Sequence, residues 1–317
     1  MTTHNSPSSR SHTARPRRSN LIRLAIGVFG LGTSGPLLAA GTMPIALVAF
    51  WRNIIGTLLT LPFAIRSYKK VVAVHQRSHV LALLRRSALS GVFLGIHFLG
   101  FFAAMRWTSV ATGTALAATQ PIFAALIARL GGHQIKIRSW LGMVIAVIGV
   151  AIIGGIDFQH SFRAFQGDLV ALLSAITAAI YVSISAKVRE TIDTSLHTAV
   201  CYSFTALTTL VAVIASGTKN FFHFSLHEWL LVFGLVIGAQ ILGHTMFNKV
   251  LEHESPTIVS MLVLFETPVA ALLAWIFLAQ QPAGYIIPGV LIIMIGSAFR
   301  SEEHTSELQS QSTISYA

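Results

Sequence analysis

Arg52 and Glu266 are the charged side chains set deepest within apolar runs of this chain. An ionisable group at such a place is costly, so each needs a partner or a task. Arg52 could hold the carboxylate of a small molecule or pair with Glu266. Trp51, beside it, offers an aromatic wall or a packing group. A proline follows closely on Gln120 and on Glu266, at Pro121 and Pro268. Each removes a backbone donor and leaves a carbonyl that a cavity or a neighbouring helix must satisfy. A kink that only improves packing is the competing reading.

Gln240, His244 and Asn248 recur at every fourth position, which on a helix sets them on one face. Such a face avoids lipid and turns to the protein interior. Histidine, with an ordinary pKa near 6.5, suits proton carriage, so His97, His244 and Glu266 are candidates for proton coupling. Hydrogen bonding between helices would account for the same histidines. Hydroxyls line one side of two further segments, at Ser174, Thr177, Tyr181 and Ser185, and at Thr198, Tyr202, Thr205 and Thr209. Of these, Tyr181 and Tyr202 are kept as substrate contacts, the others as packing hydroxyls.

The elements that must position these groups are long apolar helices. Of the 317 residues 54% are hydrophobic and 10% charged, against roughly 25% charged in a soluble domain. The net charge of +11 would suit nucleic acid in a soluble protein, but here the basic residues lie between apolar runs, and no nucleic-acid partner is expected. The single cysteine, Cys201, excludes a disulfide framework and a thiolate metal site. Ten runs reach the length of about 20 residues that a bilayer requires. They span 21–40, 44–65, 87–105, 110–130, 139–156, 169–186, 196–216, 228–247, 257–278 and 283–299. Arg52 then lies about 12 Å deep and Glu266 about 13 to 14 Å deep from the opposite side, which brings them to nearly the same level.

Seventeen Lys and Arg fall on one set of alternate connections, and only Arg106, Arg163 and Lys219 on the other. Positive charge is retained in the cytoplasm, so both termini are expected there, in a bacterial inner membrane. Shifting the sequence by 147 positions superposes Gly91 on Gly238, His97 on His244, Pro121 on Pro268, Gly142 on Gly289 and Gly149 on Gly296. Five helices per copy is an odd number, so the second copy enters the membrane inverted. Inverted repeats recur in secondary transporters, with substrate bound between the halves. The fold expected is all-α, a polytopic membrane protein of ten transmembrane helices as two inverted five-helix repeats, 21–156 and 157–299. Residues 1–20 read as a disordered basic tail; Arg15, Arg17 and Arg18 before an apolar run also fit a cleavable signal peptide, but the number of apolar runs that follow favours a retained first span. Residues 300–317 open with RSEEHTSELQS, which looks like translated sequencing adapter and is excluded as a non-native scar; the native end beyond Phe299 is then missing.

The chain resembles the drug/metabolite transporter superfamily, EamA type. The resemblance spans 21–299 and rests on two sets of five spans, Phe50-Trp51-Arg52-Asn53, Gln120-Pro121 and Glu266-Thr267-Pro268-Val269. It implies export of small amphipathic metabolites, amino-acid-like compounds or drugs, and not catalysis. It departs at Gln280-Gln281, where such proteins often carry a glutamate. The sequence holds no HExxH, GxSxG or GxxxxGK[ST] motif for an intramembrane enzyme or an ATP-driven pump. A structural or sensory membrane protein is the other alternative. The expected partners are a small-molecule substrate, membrane lipid and protons as coupling ion, with a homodimer left open and no cofactor.

Overall fold

A computed structural model describes residues 18–132, 137–244, 265–284 and 286–296. All regular structure within them is helical: α1 (Arg18–Gly32), α2 (Ser34–Ala40), α3 (Ile45–Val74), α4 (Arg77–Trp107), α5 (Val110–Ala117) and α6 (Gln120–Leu130) come first. Next are α7 (Ile137–His160), α8 (Phe162–Arg189), α9 (Thr194–Ala215), α10 (Leu226–Leu235), a π-helical segment (Val236–His244) and α11 (Glu266–Leu278). A last helix, α12, covers Ile287–Gly296. Seven helical stretches among the described residues are long and apolar enough to cross a bilayer. Three shorter apolar ones, at Ala25–Ala40, Glu266–Leu278 and Ile287–Gly296, fall on the first, ninth and tenth expected runs. The protein is a polytopic, helical membrane protein.

Several helices run past the apolar runs that announce them. Helix α4 begins at Arg77 rather than near Ser87, and its first turns carry Arg85 and Arg86 on the exposed surface. Serine side chains start three helices by accepting a backbone N–H of the first turn. Ser109 takes Thr112 N at 3.0 Å, Ser161 takes Ala164 N at 3.2 Å and Ser225 takes Glu228 N at 3.4 Å. Two expected spans are broken: the first at Thr33, and the fourth at Ala118–Thr119, just ahead of Gln120 and Pro121.

The outside of the bundle is apolar, with Leu58, Phe63, Val147, Val211, Ile276 and Phe277 at least half exposed. Water would penalise that surface, whereas lipid suits it. The interior holds Leu47, Leu94, Phe98, Phe102, Met105 and Leu116, from the start of α3, the second half of α4 and α5. A second cluster, Ala64, Val71, Val80 and Leu83 against Val188 and Leu196, closes one end. Helix α4 packs on α8 and α9, and α1 packs on the π-helical segment.

Small residues set the closest crossings. Helices α7 and α12 cross antiparallel: a Cβ on Gly296 would stand 2.5 Å from the Gly142 carbonyl, and one on Gly149 would stand 2.8 Å from that of Gly289. A larger residue at Gly149, Gly289 or Gly296 would force its neighbours to shift.

Candidate functional site

Helix α3 carries Arg52 into the centre of the bundle, where it is 4% exposed. Its Nε donates to Gln240 Oε1 of the π-helical segment at 3.4 Å. The guanidinium carbon stands 4.5 Å from the Phe98 ring centre and 5.9 Å from that of Phe102. Aromatic faces attract a cation and keep water from it. Among the described residues the two terminal nitrogens of Arg52 make no hydrogen bond, and no ion pair joins Arg52 to Glu266. The direct pairing of those two charges, one of the two readings of the sequence, is absent here.

The polar groups around Arg52 also have capacity to spare. Gln240 Nε2, Asn53 Oδ1 and Thr57 Oγ1 are buried without hydrogen-bond partners among the described residues. Gly56, one turn beyond Arg52, faces Gln240 and Tyr202 so closely that a Cβ there would collide with the Gln240 amide and lie 3.1 Å from the Tyr202 ring. Unmet donors and acceptors held in a dry interior are costly in themselves, and a polar ligand would satisfy them.

The other candidates divide. His97, half-buried on α4, meets the Ser174 carbonyl at 3.0 Å and the Ser174 hydroxyl at 2.7 Å through Nδ1, and its ring stacks on Phe101 at 5.8 Å. These contacts tie α4 to α8. Trp51 turns toward the loop end of the bundle. Its Nε1 donates to the Phe221 carbonyl at 3.0 Å, and its ring meets Trp229 edge-on at 5.4 Å. Tyr202 lies beside Gly56 and Gln240, while Tyr181, half-buried, packs against the main core. Gln120 and Pro121 open α6 and are half-buried, and Glu266 and Pro268 stand in the first turn of α11. The π-helical winding departs from the α-helical step that would align Gln240 with His244 and Asn248. Asn248 lies outside the described residues. Thr205 and Thr209 spend their hydroxyls on backbone carbonyls, Thr205 reaching across to Gly91 at 2.9 Å. Two surface concavities, of about 560 Å³ around Arg189–Asp193 and about 300 Å³ between Ser109 and Gln280, stand apart from Arg52.

Sequence reasoning passed over three charged residues that the fold uses. Glu228, 6% exposed at the start of α10, accepts from Thr42 N at 2.8 Å, Thr42 Oγ1 at 2.8 Å and Met43 N at 2.9 Å. Arg106, at the end of α4, donates to the carbonyls of Leu38 at 3.1 Å and Met43 at 2.7 Å. Arg106 carried a signal, being one of three basic residues on the charge-poor side. Asp168 is 2% exposed on α8, and neither carboxylate oxygen has a hydrogen-bond partner among the described residues. Its neighbour Gly167 packs on the backbone of Thr108, whose hydroxyl donates to Asp157 Oδ2 at 3.3 Å.

A lipid-facing exterior around a polar centre, with charge held at depth, fits a membrane transport protein. The chain belongs to the EamA-like transporter family, whose sequence pattern matches residues 19–155 and again 165–301. It is 27% identical over 261 residues to the pseudopaline exporter CntI of Pseudomonas aeruginosa, in strains UCBPP-PA14 and PAO1 alike. The match covers 81% of this chain and 86% of the relative. A crystal structure 18% identical in sequence superposes with a TM-score of 0.60 over 92% of this chain and 99% of its own, which shows the shared fold.

Proposed function

We propose that this protein is a secondary active exporter of small amphipathic metabolites, with the acidic group of the substrate taken by Arg52 between two inverted five-helix repeats. The observation that carries the reading is Arg52 itself. It is buried to 4% exposure, held by Gln240 from the other half of the chain and, among the described residues, left with unspent donors beside an aromatic face. A planar guanidinium, with two nitrogens unbonded among the described residues, matches a carboxylate in both geometry and charge.

Three findings support the inverted repeat. The family pattern occurs twice. The contacts Gly142 to Gly296 and Gly149 to Gly289 exchange into one another under the 147-residue shift, on helices that run antiparallel, as a two-fold axis in the membrane plane requires. By the same shift α1 answers to α8 and the π-helical segment to α4, and α1 packs on the π-helical segment as α8 packs on α4. Alternating access then follows from rocking of the halves about the Arg52 level. The relatives named as pseudopaline exporters favour outward movement of a metabolite. The charge bias of the connections favours a bacterial inner membrane with both termini in the cytoplasm. Protons are the coupling ion in this reading, with His97, His244 and Glu266 as carriers; Gln120, Trp51, Tyr181 and Tyr202 complete the substrate wall. A homodimer is compatible with it.

The test is efflux of a broad metabolite panel from cells or vesicles, comparing wild type with Arg52→Ala and Glu266→Gln. Lost efflux at unchanged membrane abundance supports the reading. Equal loss of efflux and abundance in Arg52→Ala would make the arginine structural.

A further inference from the structure

The turn at 41–44 between α2 and α3 is gripped from two sides. Arg106 binds its carbonyls and those before it, at Leu38 and Met43, and both partners lie in the first half of the chain. Glu228 comes from the second half and binds two backbone N–H groups and the Thr42 hydroxyl, all between 2.8 and 2.9 Å. Gly41 admits both side chains, since a Cβ there would stand 3.1 Å from Glu228 Oε2 and 3.4 Å from an Arg106 terminal nitrogen. Arg106 thus shapes the turn into a receptor for a carboxylate, and Glu228 supplies the carboxylate. The turn lies eight residues, about 12 Å, along α3 from Arg52.

The 147-residue shift carries this turn onto residues 188–191, at the α8–α9 connection. There the halves are also bonded, Ser67 Oγ donating to Asp193 Oδ2 at 2.9 Å. Among the described residues a single hydroxyl donor serves that carboxylate, against three donors on Glu228. The 560 Å³ surface concavity, lined by Ala186 and residues 189–194 of the α8–α9 connection alone, lies at this weaker end. Three charge-assisted bonds in a buried place outweigh one.

We propose that Glu228 is the latch that holds the transport path shut on the Thr42 face, so that the resting protein opens first on the Asp193 face. This rests on the two-repeat reading above. Opening the Thr42 face requires turn 41–44 to part from α10, which breaks the Glu228 bonds while those of Arg106 travel with the turn. Once freed, the Thr42 and Met43 N–H groups and the carboxylate can turn to water, so the open state is accessible without an orphaned charge.

The test reads accessibility and needs no substrate. A reporter Thr57→Cys is placed in a Cys201→Ala background, and its reaction with a membrane-impermeant maleimide is timed from each face in right-side-out and inverted vesicles. Glu228→Gln is expected to speed labelling from the Thr42 face about tenfold or more, with no gain from the Asp193 face. Thr42→Val, which keeps the carboxylate, gives a smaller rise on the same face and serves if Glu228→Gln fails to accumulate. Ser67→Ala raises labelling from the Asp193 face alone. Unchanged rates in Glu228→Gln and Thr42→Val, or equal acceleration from both faces, would overturn the latch. Face-specific labelling in a protein that moves none of the panel compounds would leave the latch standing and remove the transport reading.

Discussion

Gly149 lies against Gly289 where α7 crosses α12, and the same crossing brings Gly142 against Gly296. A Cβ on Gly149 or Gly296 would press on neighbouring backbone, so a larger side chain there cannot be absorbed by a rotamer change. Gly149→Leu is therefore expected to destabilise the folded protein by about 1–3 kcal/mol or more. The check is the midpoint of thermal unfolding in detergent; an unchanged midpoint would show that the crossing can part freely.

Arg52 should not tolerate its nearest charged substitute. Lysine keeps one positive charge but loses the planar fork and the flat contact with Phe98. Arg52→Lys is expected to lower efflux about tenfold or more at wild-type abundance, as the loss of a charge-assisted pair implies. Efflux above half of wild type would mean that charge alone is required.

Asp168 stands buried with both oxygens unbonded among the described residues. An unmet carboxylate in a dry place costs stability, and an amide of the same shape costs less. Asp168→Asn is expected to raise the unfolding midpoint, by the equivalent of about 1 kcal/mol. A fall of that size would point to a partner that the carboxylate serves.

His97 and Ser174 share an interhelical bond at 2.7 Å. Alanine substitutions at the two should therefore be non-additive, with a coupling of about 0.6 to 2 kcal/mol in a double-mutant cycle of unfolding stability. Additive losses would release His97 from its bracing role and return weight to proton carriage.

Much of the architecture was legible because lipid imposes a simple rule: a spanning segment must be long and apolar, and composition reports that directly. Arg52 stood out for the same reason, and the glycines repeated at 147 residues come together where α7 crosses α12. What the sequence concealed is local bonding. Glu228 looked like the edge of a span, because its partners are main-chain N–H groups that every residue but proline possesses. Trp51 looked like a wall beside Arg52, yet its indole N–H finds a carbonyl in the 216–225 connection, a contact that no spacing announces. The breaks at Thr33 and Ala118–Thr119 are settled by packing between helices, which hydropathy does not see.

The wide winding of Val236–His244 has a consequence of its own. A π turn holds one more residue than an α turn, and that surplus fixes the angle at which Gln240 leaves the helix toward Arg52. Deleting one residue, Ala239 for instance, would let the stretch rewind as an ordinary helix and change the direction in which Gln240 leaves it. The chain would still cross the membrane, but the amide would point elsewhere.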